Sequence, residues 1–531
     1  MPNYPVIVGV GQLTHHPRTL EEAIEPVEMM ARVAREAEAD AQTGARPGTG
    51  AAGLLARLDS VQVVNIIGWP YPDAPGMLAG RVGASPSHKL YSAVGGETPQ
   101  RLINETAEAI AAGRIRLALI AGAEALESRR LSRRLNQHLP WPVRGNPEHV
   151  VGDTRAGFTE AEARHGATMP VRMYPLFENA IRAHLRHGIE EHQEHLGRLC
   201  SRFAAVAAEN PYAWFPSARS ADEIRTVGPA NRMVCFPYPK LMSAIIETDQ
   251  AACVIMTGSE TAREMGIPEE RWVYLLGCGD AVDKWFVSER LNYYASPAIR
   301  AATQRALAMA GVTADDIAMF DLYSCFPSAV QLAMDALSLA SNDSRPFTVT
   351  GGLPYAGGPG NNYVSHSVAS TVQRLRQDPD RYALVTGLGW FATKHSAGIY
   401  SGRPPKGART GGRLPEWHRT DPALDQAQID AMDSPPFVEE AEGEATVETY
   451  TVAFNREGEP GQAIIVGRLG RAGALPNGGE ARPDGRPSGR FFANTEADAA
   501  LMWQMTREEF VGRRGRVSHD PATRKNVFVP A

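Results

Sequence analysis

Cysteine is scarce in this 531-residue chain: Cys200, Cys235, Cys253, Cys278 and Cys325, an odd number with no Cys-x-x-Cys pair. That spacing argues against a disulfide framework or a structural zinc site and fits a reducing compartment, so a cytoplasmic location is expected. No stretch reaches the roughly 18 apolar residues needed to span a bilayer. The start, MPNYPVIVGVGQLTHHP, lacks the positive charges and apolar run of a secretory signal and reads as a strand. There is no surplus of positive charge either. The formal net charge of −6 gives no general pull toward nucleic acid or anionic lipid. Histidine occurs in small groups (His15 with His16, then His184, His187, His192 and His195), but no HExxH or cysteine partner accompanies them. Solvated helix faces are expected there, and no metal site.

What is present is ordinary globular material, 43% hydrophobic and 21% charged, too long for a single core. Val6 to Val10 is a β-branched run punctuated by Gly9 and Gly11. Ala23 to Ala39 has helical spacing, and Leu58 to Ile67 reads as a strand. Thr98 to Gly113 is expected to be helical, with Thr98 as N-cap and Pro99 in the first turn, feeding a strand at Leu117 to Ala121. This alternation predicts a mostly parallel sheet with helices on it. Residues 124–246, rich in His, Arg and Pro, read as an inserted helical or loop region. Strands resume at Ala251 to Thr257 and Val273 to Cys278. A helix (Ser296 to Ala310), a strand (Ile317 to Leu322), a helix (Pro327 to Leu339) and a strand (Ala383 to Gly387) follow. The two halves echo each other, which points to an internal duplication. From Gly407 the composition changes. ATVETYTVAF (Ala445 to Phe454) alternates like a half-exposed strand, and the tail reads as a small all-β, OB-like domain.

Five segments together resemble the thiolase superfamily: Gly96 through Gly113 to AGAEALES (Ala121 to Ser128), PYPKLMSAIIETDQAACVIM (Pro237 to Met256), DLYSCFPSAV (Asp321 to Val330), GGLPYAGGPGNNY (Gly351 to Tyr363) and TGLGWFATKHSAG (Thr386 to Gly398). They stand in that family's order over residues 1 to 405, in the places of its nucleophile loop, return to the core sheet, NEAF or HDCF loop, GHP turn and CxG loop. The subgroup resembled most is thiolase-like protein type 1, which carries an additional C-terminal domain. The resemblance implies the five-layered αβαβα thiolase fold. Its first half would span 1–275 with a loop domain inserted at about 126–240, its second half 276–406, and the extra β domain 407–531.

The same resemblance predicts a coenzyme A thioester as ligand and no bound cofactor. A thiolase needs a thiolate, a histidine that activates it, an acid/base cysteine and an oxyanion hole. Here the nucleophile position falls on Gly96, the activating histidine on Gly358 and the acid/base cysteine on Thr386. Glycine has no side chain, and a threonine hydroxyl is far too weak an acid to replace a thiol. Backbone N–H groups at Gly96, Glu97 and Thr98 remain candidates for a carbonyl, and Glu97 reads as a first-turn acid favouring the helix dipole. Gly96, Thr98, Gly357, Gly358 and Asn361 are the expected ligand-contacting positions. Lys240 or the basic run Arg129 to Arg134 is a candidate for the phosphates.

Two functions follow. One is a non-catalytic acyl-coenzyme A binding protein, a nominal acyltransferase in which ordinary turnover is not expected. The other is an active acyltransferase or lyase that relocates the nucleophile to Cys325, with His366 or His395 as its base; Tyr323 and Ser324 there replace the family's His-Asp pair. In the first, the C-terminal domain would supply protein contacts. A monomer or weak homodimer is expected, with extra chain covering the edge strand that thiolases pair.

Overall fold

The computed structural model describes residues 3–42, 53–406, 416–470 and 489–531. Its first layers follow from two short patterns. Strand β1 (Pro5–His15) buries Val6, Ile7, Val8 and Val10. The helix Pro26–Gln42 lies directly over it, because Gly9 and Gly11 let the backbones meet: a Cβ at either would overlap the carbonyl of Ala37 or Val33. Strands β2 (Ser60–Val63), β3 (His88–Tyr91) and β4 (Leu117–Ala125) follow, with β2 parallel to both of the others. A short hairpin, β5 (Met233–Cys235) and β6 (Tyr238–Pro239), lies in the inserted region. Then β7 (Asp249–Gly258) enters the sheet between β4 and β1, antiparallel to each.

The second half repeats the device. Strand β8 (Val273–Val282) carries Gly277 and Gly279, whose missing Cβ atoms make room for the carbonyls of Ala306 and Ala302 in the helix Pro297–Ala310. Strands β9 (Ile317–Asp321), β10 (Tyr382–Gly389) and β11 (Lys394–Ser401) complete it. The last of these was not anticipated; it lies between β8 and β10 and is buried throughout.

Strand order is β3-β2-β4-β7-β1-β8-β11-β10-β9. The strands of the two halves pair at β1 and β8 through two residue pairs, Val6 with Tyr274 and Ile7 with Val273. Helices Thr98–Ala111 and Tyr363–Gln377 contact strands of both halves and each other. Helices Pro26–Gln42 and Ala74–Val82 pack on the first half, and Pro297–Ala310 on the second. Helices, sheet, helices, sheet, helices make the five layers that the motifs implied. The middle helix Thr98–Ala111 buries Gln100 and Asn104, which it tolerates because they bond to each other (2.8 Å), to Tyr400 and to Asp280.

The tail forms β12 (Gly443–Phe454), β13 (Pro460–Leu469), β14 (Arg490–Ala493), β15 (Arg514–Asp520) and β16 (Lys525–Pro530), in the order β14-β13-β12-β15-β16. A parallel bridge from Asn494 to Val527 brings the ends of this sheet together, and the short helix Ala499–Met505 separates β14 from β15. The expected β tail is therefore present, but it is not a loose appendage. The β5–β6 hairpin joins its sheet at Cys235 and Ala453, so the PYPKLM stretch reaches the core sheet only from Asp249 onward. No helix among the described residues is long and apolar enough to cross a membrane.

Candidate active site

The loops after β3, β9 and β10 and the turn at 351–362 converge at one end of the sheets. Asn361 ties two of them, its Oδ1 accepting from the Gly95 N–H at 2.9 Å and its Nδ2 donating to the Asn65 carbonyl at 3.1 Å. Thr386 ties two more: its Oγ1 accepts from the Tyr323 N–H at 2.8 Å. This threonine therefore holds the loop after β9 in place.

Gly96 stands at the mouth of the helix Thr98–Ala111. A Cβ there would overlap the Tyr323 hydroxyl and press on the Leu388 carbonyl. The phenol thus occupies the space that any side chain at position 96 would need. Burial first, and the neighbouring Cys325 next, push the Tyr323 pKa well above the ordinary phenol value, so it stays protonated. Beside it a cavity of about 10 Å³ is lined by Tyr323, Thr386, Leu388 and His395, room for one water.

The expected ligand-contacting positions divide. Thr98 is fully buried; its N–H donates to the Gly95 carbonyl at 3.1 Å and its hydroxyl to Ala93, so its N–H is not free for an oxyanion. It is the helix's first residue rather than its cap, and Glu97 precedes it without a capping bond. Nor is Glu97 a simple dipole partner: its Oε1 pairs with Lys394 Nζ at 2.8 Å, both side chains nearly enclosed. Gly357, with φ of +99°, turns where a Cβ would overlap Gln250, and the Gly358 N–H donates to the Ile245 carbonyl at 2.7 Å.

Cys325, His366 and His395 are not joined by hydrogen bonds. Burial raises the Cys325 thiol to about 12, and its side-chain neighbour is the Tyr174 phenol. His366 Nδ1 meets Gln12 Oε1 at 3.0 Å, and His395 Nε2 lies 3.8 Å from Asp283. Burial lowers both imidazoles to about 3, so they are neutral. Of the grouped histidines, His16 and His184 are exposed as expected, and His192 departs from a solvated face. His192 is buried, with its Nε2 2.6 Å from Glu178 and its Nδ1 3.3 Å from His187.

The larger opening is a cleft of about 860 Å³ whose inner wall includes Ile245, next to Gly358, and Tyr355. Trp214 and Phe215 supply its apolar surface; Arg130, Arg219 and Lys240 supply positive charge, and Glu127, Glu223 and Glu247 an equal number of carboxylates. Arg130 is taken up by Glu127 at 2.6 Å, whereas Arg219 and Lys240 form no salt bridge among the described residues. Arg219 was not foreseen, since nothing in the PSARS segment marks a binding residue. Cys253 and Cys235 are core residues, as are the other three cysteines.

Two pseudo-equivalent halves packed about the helices Thr98–Ala111 and Tyr363–Gln377 make this a thiolase-fold protein. The human mitochondrial 3-ketoacyl-CoA thiolase in complex with CoA matches at 14% identity and a TM-score of 0.54, over 75% of this chain and 98% of that one. The Ltp2-ChsH2(DUF35) aldolase matches at 16% and 0.57, over 75% and 98%. More specifically, the monomeric SCP2-thiolase like protein type 1 from Mycobacterium smegmatis is 34% identical over 100% of both chains, with a TM-score of 0.81. The thiolase-like protein type 1 additional C-terminal domain is recognised at residues 425–522. The chain belongs to the SCP2-thiolase-like protein type 1 family. No curated protein sequence matches it.

Proposed function

We propose that the chain binds an acyl-coenzyme A thioester in the 860 Å³ cleft and does not carry out sulfur-based acyl transfer. One observation carries this reading: the Tyr323 hydroxyl fills the room beside Gly96 in which a nucleophile would stand. Arg219 and Lys240 suit the phosphates, since neither forms a salt bridge among the described residues and both line the cleft, and Trp214 and Phe215 suit the adenine and pantetheine portions. Gly357 and Gly358 contribute by turning the chain at the inner end, and Gly96, Thr98 and Asn361 by shaping the loops there. The high Cys325 thiol pKa supports the inert reading over a nucleophile relocated to that residue, because a thiol at about 12 is protonated at neutral pH. In this reading the chain works as a monomer in a reducing cytoplasm, with its OB-like tail as part of the same body.

Calorimetric titration with coenzyme A and acetyl-coenzyme A tests the proposal. Binding is expected, with a loss of about tenfold or more in Arg219→Glu or Lys240→Glu, and no thiolysis of an acetoacetyl thioester. Thiolysis at an ordinary enzymatic rate, blocked by alkylation of Cys325, would overturn it.

A further inference from the structure

Between Ser128 and Pro147 the chain carries five arginines and no acidic residue. Four of them lie on the helix Leu126–Leu135, and the fifth, Arg144, in the loop that follows. That loop folds back on the segment 67–70. Trp69 Nε1 donates to the Pro142 carbonyl at 3.0 Å, and the Gly145 N–H donates to the Pro70 carbonyl at 3.1 Å. The rings of Trp69 and Trp141 meet edge to face at 5.1 Å, and both pack against the buried Leu131 and Leu139. Helix, loop and Trp69 thus share one surface.

Most of the charge on this surface is uncompensated. Arg130 is taken up by Glu127, and Arg133 comes only within 4.0 Å of Glu247. Arg129, Arg134 and Arg144 form no salt bridge among the described residues. Arg144 lies instead over the Trp69 ring at 5.4 Å. Burial first, then the charges of Arg144 and Arg133, lower the Arg129 pKa, and the buried Glu124 carboxylate offsets only part of this. Guanidinium groups that crowd one another call for an anion from outside.

Apolar side chains project among these cations. Val143, next to Arg144, is 87% exposed, and Leu135, next to Arg134, is 46% exposed. Ile67, two residues before Trp69, is 51% exposed. Single exposed hydrophobics are ordinary. Exposed aliphatic groups set beside arginines and half-buried tryptophans have the make-up of a membrane interface, where the apolar groups enter the acyl boundary and the cations meet phosphates. With a formal net charge of −6 the chain as a whole is not drawn to anionic lipid, so the attraction has to be local.

We infer that this surface docks on an anionic lipid membrane, with Val143, Leu135 and Ile67 entering the interface and Arg129, Arg134 and Arg144 on lipid phosphates. A polyanion in water would engage the arginines and leave Val143 solvated. The same helix lends Glu127 and Arg130 to the 860 Å³ cleft, so a docked membrane lies beside the site proposed for an amphiphilic thioester. The docking does not rest on that reading.

The test sediments the full chain with vesicles of phosphatidylcholine alone and of phosphatidylcholine mixed equally with phosphatidylglycerol, at low and at physiological salt. Cosedimentation is expected with the anionic vesicles only, and weaker as salt rises. Arg144→Gln should lower the partition coefficient about fivefold, and Arg134→Gln combined with Arg144→Gln about 25-fold. Val143→Ser should lower it by about threefold or more, through lost apolar burial. All three side chains are exposed, so the variants keep the fold. No cosedimentation of the unaltered chain, equal binding to neutral vesicles, undiminished binding in the double arginine variant, or undiminished binding in Val143→Ser would each overturn the inference. Coenzyme A affinity, measured without vesicles, should be unchanged in Arg144→Gln; a loss of about tenfold there would assign the arginine to the coenzyme's phosphates and overturn it as well. A chain that takes up no coenzyme A and still cosediments counts only against the thioester reading.

Discussion

At the scale of single residues, the substitution that matters most is a pair. Glycine at 96 removes the side chain, and tyrosine at 323 refills the space from the opposite half of the molecule. Restoring a cysteine is therefore not a matter of one position. Gly96→Cys should lower stability by about 1–3 kcal/mol through overpacking against the phenol and the Leu388 carbonyl, without creating thiolysis. Gly96→Cys combined with Tyr323→Phe should recover part of that loss. Urea unfolding of the three chains reads both effects, and an unchanged midpoint in Gly96→Cys would show that the Tyr323 ring moves aside freely.

At the scale of elements, the edge of the first sheet is where another chain could pair. Strand β3 is the outermost strand, a position from which backbone groups are free to pair with another chain. Here Val151 lies beside Ser92 as a parallel bridge. Its N–H donates to the Tyr91 carbonyl and its own carbonyl accepts from Ala93, each at 2.9 Å. The inserted region thus closes the end of that edge, while Lys89 marks its exposed part. Val151→Pro removes the donated bond and disfavours the strap's pairing. It should convert a monomer into a self-associating species by light scattering. A variant that stays monomeric would place the barrier to pairing elsewhere.

At the scale of the whole molecule, the C-terminal sheet is welded to the rest by buried polar groups. Asn179 donates to the Tyr450 carbonyl at 2.8 Å, Arg182 pairs with Glu509, and Arg490, wholly buried, joins Glu448 to carbonyls at Ser288 and Leu291. Such a body keeps many ionisable groups from water, and its stability must depend on pH. His366 and His395, lowered to about 3, and His165, lowered to about 4 chiefly by burial, stay neutral when folded. As pH falls below about 6.5 the unfolded chain takes up their protons first, so stability is lost from there downward. Glu124 and Asp249 act oppositely. Burial raises each to about 7, so the folded chain takes up their protons first and stability is gained as pH falls from about 7. His366→Gln isolates one contribution. Relative to the unaltered chain it should gain up to about 1.4 kcal/mol per pH unit between pH 6.5 and 4.5. Urea unfolding at several pH values measures this difference, and a flat one would mean His366 is protonated in the folded state.

The order of elements was determined by the sequence alone. Gly-x-Gly in a β-branched run, repeated in the second half, marks where a helix lies against a strand, and the alternation of Ala445 to Phe454 marks the β tail. The lack of a thiol or imidazole at Gly96, Gly358 and Thr386 was also visible there, because it is a property of the residue itself. Strand β11 was not, since a strand buried on both faces shows no alternation. Tertiary structure alone decided what fills a vacated space and which charges stay free. The Tyr323 phenol, the Glu97–Lys394 pair and the place of Arg219 at the cleft arise from segments hundreds of residues apart or from loops without a pattern. Local spacing carries no record of such long-range packing, which is set only when the two halves close on one another.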